Sequence, residues 1–313
     1  MKNLHILEWS LNLRSGQEDK VYPEFSNEIN LISPKPDVLF LVETVKGNTF
    51  SIDKYKVVAE SSREGNGCSI AILNARLGSG DIQIIKDVQP MLPGDNTPDF
   101  VQVDVSINNT IYNLISFRIK VENKQTEEEY QQRKEQFDNM LDYVKNLPQP
   151  IIMGDFNHAR ILGDRNSDYQ EIQKQHEEVQ VKGGHYYQKL KHDLYTTNLA
   201  IHTPLYGNSY GLKPIDFENI SEKHGFLQLD HLVTPKNMKV NSISYNWNFL
   251  DAVVAKATAA KTNEKDDYIT KYVYKYVLYY DYNSRYNSRC KQRRPWIMKG
   301  FPDHAMLIAD IEL

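Results

Sequence analysis

The 313-residue sequence has little cysteine and no long apolar run. Its two cysteines, Cys68 and Cys290, are too few for a disulfide framework or for a cysteine-ligated zinc cluster. No apolar stretch approaches the roughly 20 residues of a membrane-spanning helix, so we expect no membrane association. His5, Glu8 and Ser10 interrupt the apolar N-terminal stretch, which favours a strand over a signal peptide and predicts a cytoplasmic protein.

Two common catalytic motifs are also missing. There is no G-x-x-x-x-G-K-[ST] phosphate loop, and no serine or cysteine lies in a nucleophile-elbow context. These absences count against ordinary ATP chemistry and against acyl transfer. The sequence is 40% hydrophobic and 25% charged, as ordinary globular proteins are, which excludes wholesale disorder.

Positive charge is concentrated in one segment. Residues 265–300 carry a balance of +6, whereas the rest of the chain carries −10. The same segment holds eight of the 20 tyrosines, which either stack on bases or pack as a β-hairpin on the core. We favour packing for the tyrosines. For the arginines, which lead towards Asp303 and His304, we favour contact with an anionic substrate.

Short β-rich runs recur along the chain, and they dominate the secondary-structure prediction. A two-residue hairpin is predicted at Asn108-Asn109, between two of these runs. The predicted strands span residues 4–10, 37–42, 55–60, 69–73, 81–85, 100–107, 110–117, 150–154, 227–233, 239–247 and 305–313.

The clearest predicted helix begins at Thr126, where Glu129 completes a capping box, and ends before Pro148. A second, polar helical stretch is predicted near 166–181. Many strands and few helices indicate an α/β (α+β) fold of two packed, mostly antiparallel sheets covered by helices, in one domain over 1–313. The apolar face of the first helix comprises Phe137, Met140, Leu141 and Val144.

Polar residues cluster at the ends of the predicted apolar strands. A charged side chain there is poorly solvated unless it lines a cleft, so we expect these strand ends to converge on one site. Carboxylates with asparagine oxygens suit a hard cation such as Mg²⁺ or Mn²⁺, and a histidine can act on the same phosphate centre. The residue types therefore favour metal-assisted hydrolysis of a phosphate ester. The residues are Asn12, Glu43, Arg118, Asp155, Asn157, Asp230, Asp303 and His304.

The order of these motifs resembles that of the endonuclease/exonuclease/phosphatase superfamily, the deoxyribonuclease I-like group. The similarity rests on Asn12 after the first strand, PDVLFLVET with Glu43, PIIMGDFN at 150–157, QLDHLV with Asp230 and FPDHAMLIADI at 301–311. It implies a four-layer α/β/β/α sandwich and Mg²⁺- or Mn²⁺-dependent phosphoester hydrolysis.

The resemblance also implies roles for residues in the predicted metal site. Glu43 would be the principal metal ligand with Asn12 beside it, and Asp303 would lie near the metal. Many members have a histidine, and AP endonuclease-type members a tyrosine, where this sequence has Arg118. An arginine stays charged and cannot act as a general acid near neutral pH, but it can bind a phosphate oxygen. The leaving group would then depend on the metal or on His304.

The remaining motif residues would act on the water and the phosphate. By the same resemblance, Asp155 would orient or deprotonate the attacking water, and Asn157 would bind the phosphate and place Asp155. His304 would contact the phosphate, with its ring oriented and kept cationic by Asp230.

Substrate contacts and insertions complete the prediction. We expect insertions near 158–205 and 262–300 and a nucleic-acid substrate, with DNA preferred. Alternatives are a small phosphoester or lipid head group or, because Arg118 replaces the usual histidine, a non-catalytic binding module. The oligomeric state stays open. The predicted substrate contacts are Arg293, Arg294, Ser209 and Tyr210.

Overall fold

The strands pair into two six-stranded sheets. Residues are described in a computed structural model over 2–12, 25–44, 52–61, 67–88, 92, 96–121, 127–160, 187–210, 228–249, 302 and 304–313. The strands are β1 Asn3–Ser10, β2 Val38–Thr44, β3 Tyr55–Glu60, β4 Gly67–Leu73, β5 Gln83–Val88, β6 Asp99–Ile107, β7 Thr110–Arg118, β8 Pro150–Arg160, β9 Leu199–His202, β10 Gln228–Pro235, β11 Lys239–Asn246 and β12 Met306–Glu312. The helices are α1 Phe25–Leu31, α2 Asn74–Ser79, α3 Glu127–Val144 and α4 Tyr187–Thr196.

Each sheet is mixed, with one parallel pair near its centre. Sheet one has the order β11-β12-β1-β2-β4-β3, and sheet two has the order β5-β6-β7-β8-β10-β9. The parallel pairs are β1 with β2 and β7 with β8, and the other neighbours run antiparallel. All seven residues of β2 are buried, as its continuous apolar sequence predicts for a central strand.

Three apolar clusters separate four layers and confirm the predicted sandwich. One cluster fills the space between the sheets, with Ile6 and Phe40 from sheet one and Val103 and Met153 from sheet two. A second packs α1 on the outer face of sheet one. The third packs α3 and α4 on the outer face of sheet two, and it contains the whole predicted apolar face of α3.

The predicted hairpin between β6 and β7 is present. Asn108 and Asn109 have φ values of 52° and 64°, the left-handed pair that a type I′ turn requires. The helix predicted near 166–181 and the whole insertion predicted near 262–300 lie outside the described residues. Among the helices that the structure describes, none is long and apolar enough to cross a membrane.

Candidate active site

Strand direction brings the predicted site residues to one edge of the sandwich. The parallel strands β1, β2, β7 and β8 point their carboxyl ends towards this edge, while the antiparallel strands β10 and β12 begin there. The pairing places Asp155 opposite Arg118 on one side and opposite Asp230 on the other. Two groups result, which we call the aspartate half (Asp155, Asn157, Asp230 and His304) and the arginine half (Asn12, Glu43, Asp99 and Arg118).

In the aspartate half, Asn157 holds both oxygens of the Asp155 carboxylate. The backbone N–H of Asn157 donates to Oδ1 at 2.8 Å, and the side-chain Nδ2 donates to Oδ2 at 2.7 Å. The same Nδ2 also donates to the carbonyl of Ile119 at 2.6 Å. Asn157 has a φ of 49°, a left-handed conformation that asparagine tolerates better than most residues. The carboxylate is therefore fixed before any substrate arrives.

The glycine of the GDFN motif sets the spacing of β7 and β8. A Cβ atom on Gly154 would lie 1.7 Å from the carbonyl oxygen of Phe117, which no side chain can share. Gly154 is therefore needed for the close approach of the two strands immediately before Asp155.

The surroundings of Asp155 raise its pKa to about 7. Burial is the main cause, because the charged form loses its hydration, and the nearby Asp230 raises the pKa further. His304, Arg118 and the backbone N–H of Asn157 lower it. A carboxylate with this pKa can accept a proton near neutral pH.

His304 and Asp230 form a buried pair. Nδ1 of His304 lies 2.8 Å from Oδ2 of Asp230, which leaves Nε2 on the opposite side of the ring. The carbonyl of His304 accepts a hydrogen bond from Trp9 Nε1 at 3.1 Å, and Tyr210 packs edge-on against the imidazole with ring centroids 5.0 Å apart. The ring is thus held by Asp230 and Tyr210, and the backbone of His304 is held by Trp9.

Ser209, predicted as a substrate contact, forms hydrogen bonds with the backbone at the start of β10. Its side chain is fully buried, and Oγ accepts hydrogen bonds from the backbone N–H groups of Leu229 at 2.6 Å and Asp230 at 3.2 Å. The carbonyl of Ser209 accepts from the N–H of Ala305 at 2.8 Å. Ser209 therefore positions the Asp230–His304 pair, and the physical reason is that the start of β10 needs an acceptor for its backbone donors.

In the arginine half, Asn12 and Glu43 lie at neighbouring strand ends. The N–H of Leu11 donates to the carbonyl of Val42 at 3.0 Å, which carries the β1–β2 pairing up to these two residues. Both Asn12 and Glu43 are buried and have a φ of 53°. Left-handed backbone costs a glutamate on the order of 1–2 kcal/mol, so the surrounding structure has to enforce it, as is common at functional sites.

Arg118, expected from the sequence to bind a phosphate oxygen, forms ion pairs with two carboxylates in this structure, and its phosphate contact stays a prediction. Its guanidinium donates to Oε1 of Glu43 at 2.6 Å and to Oδ2 of Asp99 at 3.3 Å, and the side chain is 7% exposed. Burial lowers the pKa of Arg118, but Glu43, Asp155 and Asp99 outweigh burial and hold it above its ordinary value. A buried guanidinium flanked by carboxylates pairs with them because neither charge can be left alone in the interior.

Glu8 is a charged residue of the site that sequence reasoning missed. It lies on the same face of β1 as the core residues Leu4 and Ile6, and it is fully buried. Within the described residues neither of its carboxylate oxygens has a hydrogen-bond partner. Burial raises its pKa well above the ordinary value, Asp230 and Asp155 raise it further, and His304 lowers it. In the sequence, the signal for Glu8 is a charged residue at a position of the strand where the alternation predicts an apolar one.

The donor chemistry of the arginine half fits a hard divalent cation with one exception. Glu43 and Asn12 supply carboxylate and amide oxygens at adjacent strand ends, the ligand types that Mg²⁺ prefers. The exception is that Oε1 of Glu43 already accepts from Arg118. Over the stretches that the structure describes, no three His, Cys, Asp or Glu side chains are grouped as a metal centre.

Three predicted site residues lie outside the described residues. They are the predicted metal neighbour and the two predicted substrate contacts of the basic segment: Asp303, Arg293 and Arg294.

Comparisons with known proteins agree on the fold. No family model and no curated protein matches the sequence. Among solved structures, a D. rerio TDP2 complexed with a single-strand DNA product is 11% identical with a TM-score of 0.55, and the match covers 99% of each chain. An endonuclease/exonuclease/phosphatase from Beutenbergia cavernae is 11% identical with a TM-score of 0.54, covering 100% of this chain and 72% of that one.

A further match shows how widely this fold is used. A Cimex nitrophorin, solved as a ferrous NO complex, is 13% identical with a TM-score of 0.51, and the match covers both chains completely. At such identities the likeness concerns the fold, and function has to be argued from the site. The two mixed sheets, their flanking helices and these matches establish that this chain has the deoxyribonuclease I-like fold of the endonuclease/exonuclease/phosphatase proteins.

Proposed function

We propose that this chain is a Mg²⁺- or Mn²⁺-dependent phosphodiesterase that cleaves nucleic acid, with DNA as the preferred substrate. The observation that carries the proposal is the aspartate half, where two buried carboxylates are each held by one partner. Asp155 is oriented by Asn157, and Asp230 orients His304. A water-activating base and a phosphate-binding histidine at one edge are the parts that phosphoester hydrolysis requires.

Asp155 acts as the base in this proposal. Its pKa of about 7 leaves a substantial fraction ionised at neutral pH while keeping it basic enough to take a proton from water. Asn157 fixes both oxygens, so the water is oriented along a defined direction.

His304 contacts the phosphate through Nε2. Asp230 binds Nδ1, which fixes the ring and stabilises the imidazolium form. A cationic ring can stabilise the charge that develops on the phosphate oxygens, and it can give a proton to the leaving oxygen. Arg118 cannot perform the second task, because it keeps its proton at neutral pH.

Glu43 and Asn12 would hold the divalent cation. Such a cation, when bound, offsets charge on the phosphate and on the leaving oxygen. Asp303 is proposed to lie close to this site, as the sequence resemblance implies.

The proposal of a nucleic-acid substrate has two supports. The segment 265–300 carries a balance of +6 and includes Arg293 and Arg294. A D. rerio TDP2 of the same fold was solved with a single-strand DNA product. If these arginines contact phosphates, changing both to Gln should weaken DNA binding and reduce its salt dependence by about two phosphate contacts.

Plasmid nicking tests the proposal. Supercoiled plasmid is incubated with Mg²⁺ or Mn²⁺ and wild-type protein, Asp155→Asn or wild type with EDTA. Nicking by wild type that disappears in both controls is the expected result. Persistent nicking by Asp155→Asn would show that the activity does not come from this site.

A second candidate is hydrolysis of a small phosphoester on the same site. It is favoured by the −10 charge balance outside residues 265–300, which repels a long polyanion. Absence of plasmid nicking, with release of phosphate from a small ester that depends on Asp155, would select this candidate. Exchanging Arg293 and Arg294 for Gln would then leave the rate unchanged.

A further inference from the structure

The contact between Arg118 and Glu43 joins the two sheets inside the site. Arg118 ends β7 in sheet two, and Glu43 lies near the end of β2 in sheet one. The 2.6 Å contact is therefore formed only when the sandwich is assembled, and the side chains are 7% and 8% exposed. Glu43 is also the residue expected to bind the divalent cation. The same carboxylate would therefore interact with two cations, the guanidinium of Arg118 and the metal ion.

The guanidinium and a divalent cation compete for the same charge. Arg118 already neutralises Glu43, and a second cation beside it meets repulsion that water screens poorly at this depth. Asp99 holds the other arm of Arg118 and keeps the guanidinium near Glu43.

One donor of Arg118 has no acceptor among the described residues. Its Nε–H is buried and makes no hydrogen bond there, although both terminal nitrogens are engaged. A buried donor of this kind attracts an anion that can supply an oxygen. Phosphate oxygens match the planar donors of a guanidinium, so a phosphodiester can draw Arg118 away from Glu43.

We propose that Arg118 couples the two ligands of the site: it competes with the divalent cation at Glu43, and a bound phosphodiester relieves the competition. Cation binding is then weak without a phosphodiester and stronger with one, and the effect is reciprocal. This inference rests on the proposed function for the identity of the ligands, but it concerns binding and not turnover.

Binding of Mn²⁺ measures the competition directly. The Kd is followed by the electron paramagnetic resonance signal of free Mn²⁺, in wild type and Arg118→Gln. We expect the Gln variant to bind Mn²⁺ about tenfold more tightly, within the usual range of coupling between sites. Arg118→Lys keeps the positive charge, so this variant should bind Mn²⁺ as weakly as wild type does. Arg76→Gln, which breaks an ion pair with the buried Asp37 before the start of β2, is the matched control and should resemble wild type.

Dimethyl phosphate tests the coupling. This stable phosphodiester should lower the Kd of wild type for Mn²⁺ severalfold and leave the Kd of Arg118→Gln unchanged. Adding Glu43→Gln to the Arg118→Gln variant should remove the gained affinity. Equal affinities in wild type and Arg118→Gln, no effect of dimethyl phosphate on wild type, or a gain that survives Glu43→Gln would each overturn the proposal.

A replacement variant covers the case in which Arg118→Gln does not fold, and a comparison of Mn²⁺ binding with cleavage separates this proposal from the proposed function. If Arg118→Gln does not fold because Asp99 is left buried and charged, the Arg118→Gln/Asp99→Asn variant removes that charge and takes its place. Mn²⁺ binding that behaves as expected without any phosphoester cleavage overturns the proposed function alone. Cleavage with no change in the Kd between wild type and Arg118→Gln overturns the coupling alone.

Discussion

The two halves of the site handle buried charge differently. In the aspartate half, each carboxylate is held by a hydrogen-bond donor that also fixes its orientation, Asn157 for Asp155 and His304 for Asp230. In the arginine half, two carboxylates share one permanent cation. The first arrangement leaves Asp155 able to gain or lose a proton near neutral pH. The second arrangement compensates the negative charge of Glu43 and Asp99 with a guanidinium that does not transfer protons.

This difference separates chemistry from charge compensation. A group that titrates near pH 7 can take part in each catalytic cycle, and Asp155 is such a group. Arg118 keeps its charge at any physiological pH, so it can only bind, repel or move. Substitutions in the two halves should therefore have effects of different kinds.

The largest effect should come from removing the base. Asp155→Asn preserves size but cannot accept a proton, and we expect the cleavage rate to fall by a factor of about 10³, within the usual range for general-base catalysis. Arg118→Lys keeps a cation in the other half and should cost far less. Plasmid nicking measures both. Asp138→Asn, on the surface of α3, is the control, and a residual rate within tenfold of wild type for Asp155→Asn would contradict the assignment.

The next largest effect should come from disturbing the close spacing of β7 and β8, which positions the residues of the aspartate half. Gly154→Ala places a methyl group 1.7 Å from the carbonyl of Phe117, so β7 and β8 have to separate. We expect a loss of about 3 kcal/mol in the free energy of unfolding, measured by urea denaturation. Gly78→Ala in α2 is the matched control, because nothing lies within 4 Å of the added atom. Equal stability of the two variants would rule out a close approach at Gly154.

The pH dependence of cleavage distinguishes the halves again. Asp155 is protonated and inactive below its pKa of about 7, so the rate should fall about tenfold per pH unit below that value and level off above it. Arg118 lowers this pKa, so Arg118→Gln should move the acid limb to higher pH. Arg76→Gln, whose ion pairs are with Asp37 and Asp81, should not move it. A rate independent of pH between 5 and 7, or an unshifted limb in Arg118→Gln, would be inconsistent with this coupling.

The smallest effect concerns the support of the Asp230–His304 pair. Ser209→Ala leaves the buried N–H groups of Leu229 and Asp230 without their acceptor, at a cost of roughly 1–3 kcal/mol. Ser79→Ala removes an exposed hydroxyl that accepts from Asp81 and should change stability by less than about 0.5 kcal/mol. Thermal and urea unfolding measure both, and similar losses would remove the positioning role of Ser209.

Most of the fold was predictable because strand signals are local. All the predicted β-rich runs overlap observed strands, and the apolar face of α3 packs on sheet two as its spacing indicates. The short edge strand β9 and the helices α1, α2 and α4 were missed. Helices of six or seven residues such as α2 and α1 carry almost no periodic signal, and their formation depends on packing.

The site was predictable where its motifs are contiguous. Asp155 and Asn157 are two residues apart, and their contact follows from local backbone geometry. Arg118 and Glu43 are 75 residues apart on different sheets, so no local pattern indicates that they meet. Glu8 lies on the apolar face of β1, which is a signal in the sequence, but without the fold it indicates only an interruption of an apolar stretch.

The pairing of the first strand with the last also governs when the site can exist. β1 pairs with β12 from Asn3 opposite Glu312 onwards, and His304 lies two residues before β12 begins. Contacts so distant along the chain form slowly, because a long loop has to close before they stabilise anything. During synthesis β1 keeps one unpaired edge, and Asp230 lacks its histidine partner, until His304 and β12 have been synthesised. The proposed active site is therefore incomplete until β12 has been synthesised and has paired with β1.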